Sequence, residues 1–372
     1  MRVSDSARLY LVQFLSSEAV AATTIFMPNL AKNLGLTDLL LGLSGAAFGL
    51  AFLASSYIFA RKTDVEGTKR YLDLGLILSA LTTGLLFVTP DPLFLLAFYS
   101  LAGATMGMYP AALVSYVFGK KGRLGRFSAY GSLGSGLGLI IAGLVSQYLE
   151  IRTVFLLNAV VFLASFLASI SMPEIPTERH NVPLFSPELF RKYWVVFVVF
   201  LIRHVGANIV WIVYPLYLAE LGASLLTVSL LYTANPLGQF LFMYVITDRL
   251  SPRRLIALGL IFSFLAFSTM SLVTDIWHVV PVQVLVAASW SCLYVGALRD
   301  VTERDVRKAT TTGLLNSVIY LGNTIGPLVG GAVSQLSGGY RGNSLIAASV
   351  VFSSLLLYAG NRWKAISQVR AQ

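Results

Sequence analysis

The chain carries little charge and almost no cysteine. Of its 372 residues, 12% are Asp, Glu, Lys or Arg, whereas soluble globular proteins contain about 25%. A water-soluble enzyme is therefore not expected. Cys292 is the single cysteine and lies in an apolar run, which excludes an intramolecular disulfide and indicates neither a redox motif nor a metal site. A nucleotide-binding Gly-rich loop that ends in Lys-Ser or Lys-Thr is also lacking, so no cofactor is predicted.

Apolar residues, in contrast, make up 56% of the chain. They form blocks of about 20 residues, each long enough to cross a hydrocarbon core of about 30 Å as a helix. The protein is therefore predicted to be an all-α integral membrane protein whose surroundings are the lipid bilayer. Twelve membrane-spanning helices are predicted, near residues 9–31, 39–60, 71–89, 93–118, 127–148, 153–172, 193–218, 225–247, 254–273, 277–298, 309–335 and 343–361.

The positions of Lys and Arg predict the orientation of these helices. With the N-terminus inside, 23 of the 27 basic side chains fall on inner segments and three on outer loops, which is the bias seen in membrane proteins. We therefore expect a multi-pass protein of the cell membrane with both termini in the cytoplasm. Because the basic residues are spread between apolar blocks, a nucleic-acid partner is not predicted.

A proline-containing polar stretch divides the predicted helices six and six. The expected domains are an N-terminal bundle (1–172), a cytoplasmic linker (173–192) and a C-terminal bundle (193–372). The two bundles resemble each other: residues 138–147 parallel 326–335 at an offset of 188, and Leu34-Gly35 parallels Leu221-Gly222 at an offset of 187. Six spans per repeat give both halves the same orientation. Parallel repeats of this kind are typical of transporters that work by alternating access around a central site.

The loops after the second and eighth helices carry a repeated charged pattern. Ala60-x-x-x-Asp64-Val-Glu-Gly67-Thr-Lys69-Arg70 and Tyr244-x-x-x-Asp248-Arg249-Leu-Ser-Pro-Arg253-Arg254 resemble the loop signature of the major facilitator superfamily, and the resemblance extends over essentially the whole chain. It implies two six-helix bundles related by a pseudo-twofold axis and a rocker-switch mechanism. In the family this loop latches the cytoplasmic side, through a carboxylate close to a helix N-terminus or to Arg residues. The cytoplasmic gate residues that the resemblance implies are Asp64, Lys69, Arg70, Arg126, Asp248, Arg249 and Arg304.

Small residues recur every four positions in the fifth and eleventh helices. This spacing permits close backbone contact between membrane helices. The candidate helix-packing glycines are Gly134, Gly138, Gly322, Gly326 and Gly330. In the family, Gly-Pro-x-x-Gly-Gly in the fifth helix is typical of exporters that exchange their substrate for protons. Here that string lies in the eleventh helix, and the fifth has Leu139 in place of the proline.

Three ionisable residues lie well inside apolar runs, namely Glu18, Arg203 and His204. An ionisable group at the membrane centre costs about 2.5 kcal/mol or more, so such groups normally serve function. Glu18 is predicted to bind the coupling proton or a cation, since a desolvated carboxylate favours its neutral form. Arg203 or His204 is expected to be its counter-charge or the receptor for an anionic group. A static ion pair between the halves is the structural alternative.

Further polar and aromatic residues inside the predicted spans are candidates for a substrate site. Asn208 and Trp211 share a helical face with His204. The other candidates are Gln13, Tyr232, Asn235, Gln239, Gln283, Trp290, Asn316 and Asn323.

The sequence thus predicts a secondary active transporter of a small solute, coupled to protons or another ion. Export of amphipathic or cationic compounds through Glu18 is favoured. Uptake of an anionic metabolite through Arg203, or of a sugar, is the alternative. From another class, a transport-inactive sensor or assembly partner of the same fold stays open. We expect a monomer, because such a fold forms its cavity without a partner.

Overall fold

The computed structural model describes residues 3–36, 38–119, 122–175, 187–223, 225–337 and 341–370. Within these ranges each of the twelve predicted spans falls on one helix or on two consecutive helices, which confirms the all-helical class. Ten helical segments of the described chain are long and apolar enough to cross a membrane.

The chain divides into two compact units. Unit 1 comprises Met1–Phe185 and Thr302–Tyr320, and unit 2 comprises Ser186–Val301 and Leu321–Gln372. The helices of unit 1 are α1 (Val3–Asn33), α2 (Asp38–Glu66), α3 (Thr68–Phe87), α4 (Pro92–Met106), α5 (Pro110–Gly119), α6 (Leu124–Tyr148) and α7 (Ile151–Ile170). The following helices are α8 (Pro187–Trp211), α9 (Tyr214–Glu220), α10 (Leu225–Val245), α11 (Pro252–Ser271), a 3-10 turn (Ile276–His278), α12 (Val279–Thr302), α13 (Lys308–Ser337) and α14 (Arg341–Arg370). The first part of α13 belongs to unit 1 and the remainder to unit 2.

Two predicted continuous helices are interrupted. The segment 93–118 breaks between α4 and α5, and the segment 193–218 breaks between α8 and α9. In both cases a proline follows the break: Pro110 begins α5 and Pro215 is the second residue of α9. Proline has no N–H for the carbonyl four residues earlier, and those carbonyls belong to Met106 and Trp211, the last residues of α4 and α8.

The predicted linker is partly helical. Helix α8 begins at Pro187, so the last six residues of the range 173–192 belong to the helix. Proline is favoured at the first helical position because its missing N–H would have no partner there. Residues 176–186 lie outside the described part of the chain.

The internal repeat is visible in the backbone. Gly35 and Gly222 have φ of 77° and 82°, a left-handed conformation that glycine adopts without a steric penalty. Each closes the end of a helix in the same way. The N–H of Leu36 donates to the carbonyl of Ala31, and the N–H of Ala223 donates to that of Leu218, both at 3.0 Å. This pattern is the Schellman motif, and the two copies are 187 residues apart.

Equivalent helices also pack alike within each unit. In unit 1, α1 packs against α6 and α7, and α3 packs against α7. In unit 2, α8 and α11 both pack against α14. The first helix of each unit, α1 or α8, therefore has one face buried by its own bundle.

Candidate functional site

A cavity of about 200 Å³ lies in unit 1 beside α1. The lining residues of α1 are Gln13, Ser16, Ser17, Val20 and Ala21. The other lining residues are Phe52, Met106, Tyr109, Pro110, Ser135 and Tyr320. The Gln13 Nε2 donates to Ser17 Oγ at 3.2 Å, and the Tyr320 ring stacks on Phe52 with a centroid distance of 3.7 Å. The cavity thus combines an amide and hydroxyls with aromatic rings.

Glu18 directly follows the lining residue Ser17 and is rotated about 100° from it around α1, so that it packs against Gly138 of α6. Its side chain is 3% exposed. A Cβ built on Gly138 would lie 2.8 Å from both the Cγ and the carbonyl oxygen of Glu18, so only glycine leaves room for this side chain. Within the described residues, Glu18 Oε2 is buried without a hydrogen-bond partner.

The internal repeat explains why the Glu18 side chain faces α6. At the offset of 187 the counterpart of Glu18 is Val205, which lies beside Gly326 of α13 as Glu18 lies beside Gly138 of α6. A Cβ on Gly326 would lie 2.8 Å from the Val205 carbonyl oxygen. Arg203 and His204 precede Val205 and therefore point to other sides of α8. Since Glu18 and Arg203 belong to different units, an ion pair between them stays a prediction.

Arg203 is held by hydroxyl groups inside unit 2. It is 2% exposed, and its Nε donates to Ser263 Oγ at 2.7 Å while Nη2 donates to Ser289 Oγ at 2.8 Å. The two serine hydroxyls also hydrogen-bond to each other. The guanidinium carbon lies 5.8 Å from the centroid of the Trp290 ring, a cation–π contact. The contacts described for Arg203 in this unit are therefore neutral groups.

His204 hydrogen-bonds within a network of amides, and its ring centroid also lies 5.3 Å from that of Trp290, the ring that meets Arg203. Its Nε2 lies 2.8 Å from Asn323 Oδ1, and an amide oxygen accepts, so Nε2 carries the proton. Asn208 Nδ2 donates to the same oxygen at 3.1 Å and to the His204 carbonyl at 2.9 Å. The imidazole lies against Gly322, where a Cβ would come within 2.9 Å of its ring. The structure thus brings His204 and Asn208 together, and Asn323 joins them.

The remaining candidates of the substrate site are distributed over several helices. Trp211 and Tyr232 both meet the Tyr214 ring edge-on, at centroid distances of 5.0 and 5.2 Å. Asn235 accepts a hydrogen bond from Gln239 one turn later. Trp290 stacks on Tyr294 with a centroid distance of 5.3 Å, and Asn316 is 8% exposed in the part of α13 that belongs to unit 1.

Asp64, the first of the predicted gate residues, sits at the N-terminus of α13 within unit 1. Its carboxylate accepts hydrogen bonds from the Ala309 N–H at 3.2 Å, from the Thr310 N–H at 2.7 Å and from the Thr310 hydroxyl at 2.6 Å. Asp64 is 5% exposed. A carboxylate at this place satisfies backbone donors that have no partner inside the helix and complements the helix dipole.

The other predicted gate residues differ in exposure and contacts. Lys69 pairs with Asp73, and Arg70 Nη1 lies 3.6 Å from Glu66 Oε2. Arg126 and Asp248 are partly buried, whereas Arg249 and Arg304 are exposed. Their role in a gate stays a prediction.

The predicted packing glycines lie at close helix contacts. A Cβ on Gly134 would come within 2.1 Å of the Phe14 carbonyl oxygen, and one on Gly330 within 2.7 Å of that of Ile209. At Gly331 nothing lies within 4 Å.

Three cavity residues, Ser16, Ser17 and Ser135, were not predicted from the sequence. Their only signal in the sequence is the recurrence of small polar residues on the cavity faces of α1 and α6.

Comparison with known proteins decides the family. The chain matches the sequence profile of the Major Facilitator Superfamily over residues 9–202 and 196–366. It belongs to this family. It is accordingly a multi-pass membrane transporter, from a family of transporters rather than enzymes.

Individual relatives are distant. The multidrug resistance protein MdtG of Salmonella arizonae is 27% identical over 379 residues, which cover 91% of this chain and 90% of that protein. The human organic anion transporter MFSD10 (TETRAN) is 15% identical with a TM-score of 0.80, covering 95% of this chain and 99% of its own. FucP, an MFS transporter in the outward conformation, is 17% identical with a TM-score of 0.73, covering 95% and 97%. The two structural likenesses show the fold alone.

Proposed function

We propose that this transporter exports amphipathic or cationic compounds in exchange for protons, with Glu18 as the proton-binding group. The observation that carries the proposal is the burial of the Glu18 carboxyl group without a described hydrogen-bond partner for Oε2. Glu18 is 3% exposed, and its Oε2 has no hydrogen-bond partner within the described residues.

A carboxyl group in such surroundings is suited to carry a proton. An isolated ionised carboxylate in an apolar medium is far less stable than its neutral form, and ionisable residues inside membrane helices mostly mark ion pathways. A conformational change that admits water to the α1–α6 contact would stabilise the charged form and release the proton. Gly138 is a positioning residue in this scheme, because a side chain there would displace Glu18.

The cavity of unit 1 is the proposed contact for the solute. Its volume of about 200 Å³ is below the roughly 300–1,000 Å³ of sites that enclose drug-sized molecules. It therefore accepts one ring or the head of an amphipathic molecule. Gln13 and Ser17 offer hydrogen bonds, while Tyr109 and Tyr320 offer aromatic rings that attract cations. The name of the relative MdtG, a multidrug resistance protein, also favours export.

The proposed cycle is a rocker switch in the cell membrane, with both termini cytoplasmic and a monomer as the working unit. The contact of Asp64 with the start of α13 holds the gate of one state, and its loss accompanies the other. The coupling ion is a proton, since the candidate is one carboxyl group without a described partner.

The test uses purified protein in liposomes with an imposed pH gradient and a fluorescent lipophilic cation as the probe. Wild type is expected to accumulate the cation when the gradient is present. Glu18→Gln removes the titratable group with little change in shape, so gradient-driven accumulation is expected to vanish. Counterflow of the cation, which needs no proton, is expected to persist.

Glu150→Gln is the matched control. Glu150 is exposed at the start of α7, and its side chain makes no capping hydrogen bond. It should transport like wild type. Retention of gradient-driven accumulation in Glu18→Gln would refute the assignment of Glu18. Counterflow of organic anions or sugars, but not cations, would instead favour uptake, and dependence of that counterflow on Arg203 would identify an anion carrier.

A further inference from the structure

A second, mostly apolar cleft of about 500 Å³ runs along α10 and α12 in unit 2. Its walls include Leu231, Leu241 and Val245 of α10 and Val280 and Val284 of α12. Several of these side chains are open to the surroundings: Leu241 is 61% and Val284 is 53% exposed. In a membrane protein such a cleft is accessible to molecules dissolved among the lipids.

One polar side chain lies in this cleft. Gln283 is 3% exposed, and its Nε2 donates a hydrogen bond to the Tyr214 hydroxyl. Its Oε1 is buried and has no hydrogen-bond partner within the described residues. An acceptor left unsatisfied in an apolar site is unfavourable, so a ligand that brings an N–H or O–H donor gains a hydrogen bond there without displacing another.

The shape of the cleft suits an elongated ligand. Leu231 and Val245 are fourteen positions apart on α10, which corresponds to about 21 Å at 1.5 Å per residue. Two small residues of α10, Ala234 and Gly238, line the cleft. At Gly238 the two helices approach closely, since a Cβ there would lie 2.9 Å from that of Ala287 in α12. Leu231 belongs to the same core cluster as Val282, the neighbour of Gln283 in α12, so Gln283 lies at the Leu231 end of the cleft and the apolar wall extends away from it.

We propose that this cleft binds an amphipathic amine, whose N–H donates to Gln283 Oε1 and whose hydrocarbon body lies along α10. The evidence for the binding site is the cleft and the buried acceptor of Gln283. Its role as the place where exported amines leave the lipid rests on the proposed function. The hydrogen bond distinguishes this ligand from a lipid acyl chain, which fills the cleft without needing the amide.

The test compares two probes of equal charge and chain length in lipid nanodiscs. Dodecylammonium has N–H donors and dodecyltrimethylammonium has none. Apparent dissociation constants are taken from the rise in the unfolding temperature with probe concentration. Wild type is expected to bind dodecylammonium at least tenfold more tightly, and Gln283→Leu is expected to abolish this preference because the acceptor is gone.

Ala234→Phe fills the cleft and should weaken both probes at least tenfold. Ala164→Phe is its matched control, since Ala164 is an exposed alanine on α7 in unit 1 and is not among the residues that line the cleft. Equal binding of the two probes by wild type, or unchanged binding in Ala234→Phe, would overturn the proposal. If Gln283→Leu fails to fold, Ala234→Phe and the wild-type preference still decide it.

The same variants separate this inference from the proposed function. Glu18→Gln is expected to keep the dodecylammonium preference while losing proton-driven transport. If Glu18→Gln loses transport coupling but keeps the preference for dodecylammonium, the proposal for the cleft is supported. An absent preference in a protein that still exports cations refutes the cleft alone.

Discussion

Removal of the Asp64 carboxylate should destabilise the start of α13. The first turn of a helix has N–H groups without intrahelical acceptors, and in α13 those of Ala309 and Thr310 donate to Asp64. Both residues are fully buried. Asp64→Ala leaves these two donors, and the Thr310 hydroxyl, without the acceptor they have now.

The magnitude follows from these contacts. Hydrogen bonds to charged groups contribute about 1.5–3 kcal/mol each, but the three share one carboxylate and are not additive. Breaking a buried charged contact costs about 3–5 kcal/mol in measured cases. We take about 3 kcal/mol for local opening of the first turn of α13, which corresponds to roughly a hundredfold change in an equilibrium constant. Asp64→Asn keeps one acceptor oxygen and should lose about half as much.

Hydrogen exchange followed by mass spectrometry measures this directly. The amides of residues 309–312 are expected to exchange about a hundredfold faster in Asp64→Ala, because protection reports the free energy of local opening. Glu150→Ala is the control, since Glu150 is exposed and makes no capping bond. Exchange in 309–312 that is no faster in Asp64→Ala than in the control would refute the reasoning.

Two further predictions concern helix packing and buried charge. Gly330→Ala should lower the free energy of unfolding by about 1–3 kcal/mol through overpacking, whereas Gly331→Ala should be neutral or slightly stabilising because its surroundings are open. Thermal unfolding in detergent compares the two variants, and equal effects would contradict the close contact at Gly330. Arg203→Met should change stability by less than about 1 kcal/mol, because apolar replacement of a buried charge is often neutral and Ser263 and Ser289 keep their bond to each other. The double variant Ser263→Ala and Ser289→Ala should lower the free energy of unfolding by about 3 kcal/mol in a denaturant titration, since it leaves the guanidinium without those acceptors. A larger loss in Arg203→Met than in the double variant would show that Arg203 itself stabilises the fold.

The all-helical class and the positions of the twelve apolar spans could be predicted from the sequence, but the interruptions of two of these spans could not. Hydropathy reports the length of an apolar block, and a break of two or three apolar residues does not alter it. Proline was the available signal, and it is ambiguous. Pro110 and Pro215 follow breaks, whereas Pro28, Pro236 and Pro327 lie inside continuous helices. Neighbouring helices can satisfy the carbonyl that a proline frees, and that compensation is a property of the packing.

The burial of Glu18, Arg203 and His204 could likewise be predicted, whereas the side of α1 on which Glu18 lies follows only when the internal repeat is also considered. The repeat offset of 187 pairs Glu18 with Val205, and equivalent residues of a repeat face equivalent neighbours. Glu18 therefore has to face α6 as Val205 faces α13, at the contacts made by Gly138 and Gly326. A prediction from depth alone directs Glu18 across a central cavity. The repeat directs it into the contact between α1 and α6, so proton coupling should depend on the packing of these two helices. Gly138→Ala should then impair coupling at an unchanged carboxyl group, whereas Gly143→Ala, whose Cβ would meet only Phe26 at 4.0 Å, should leave it intact.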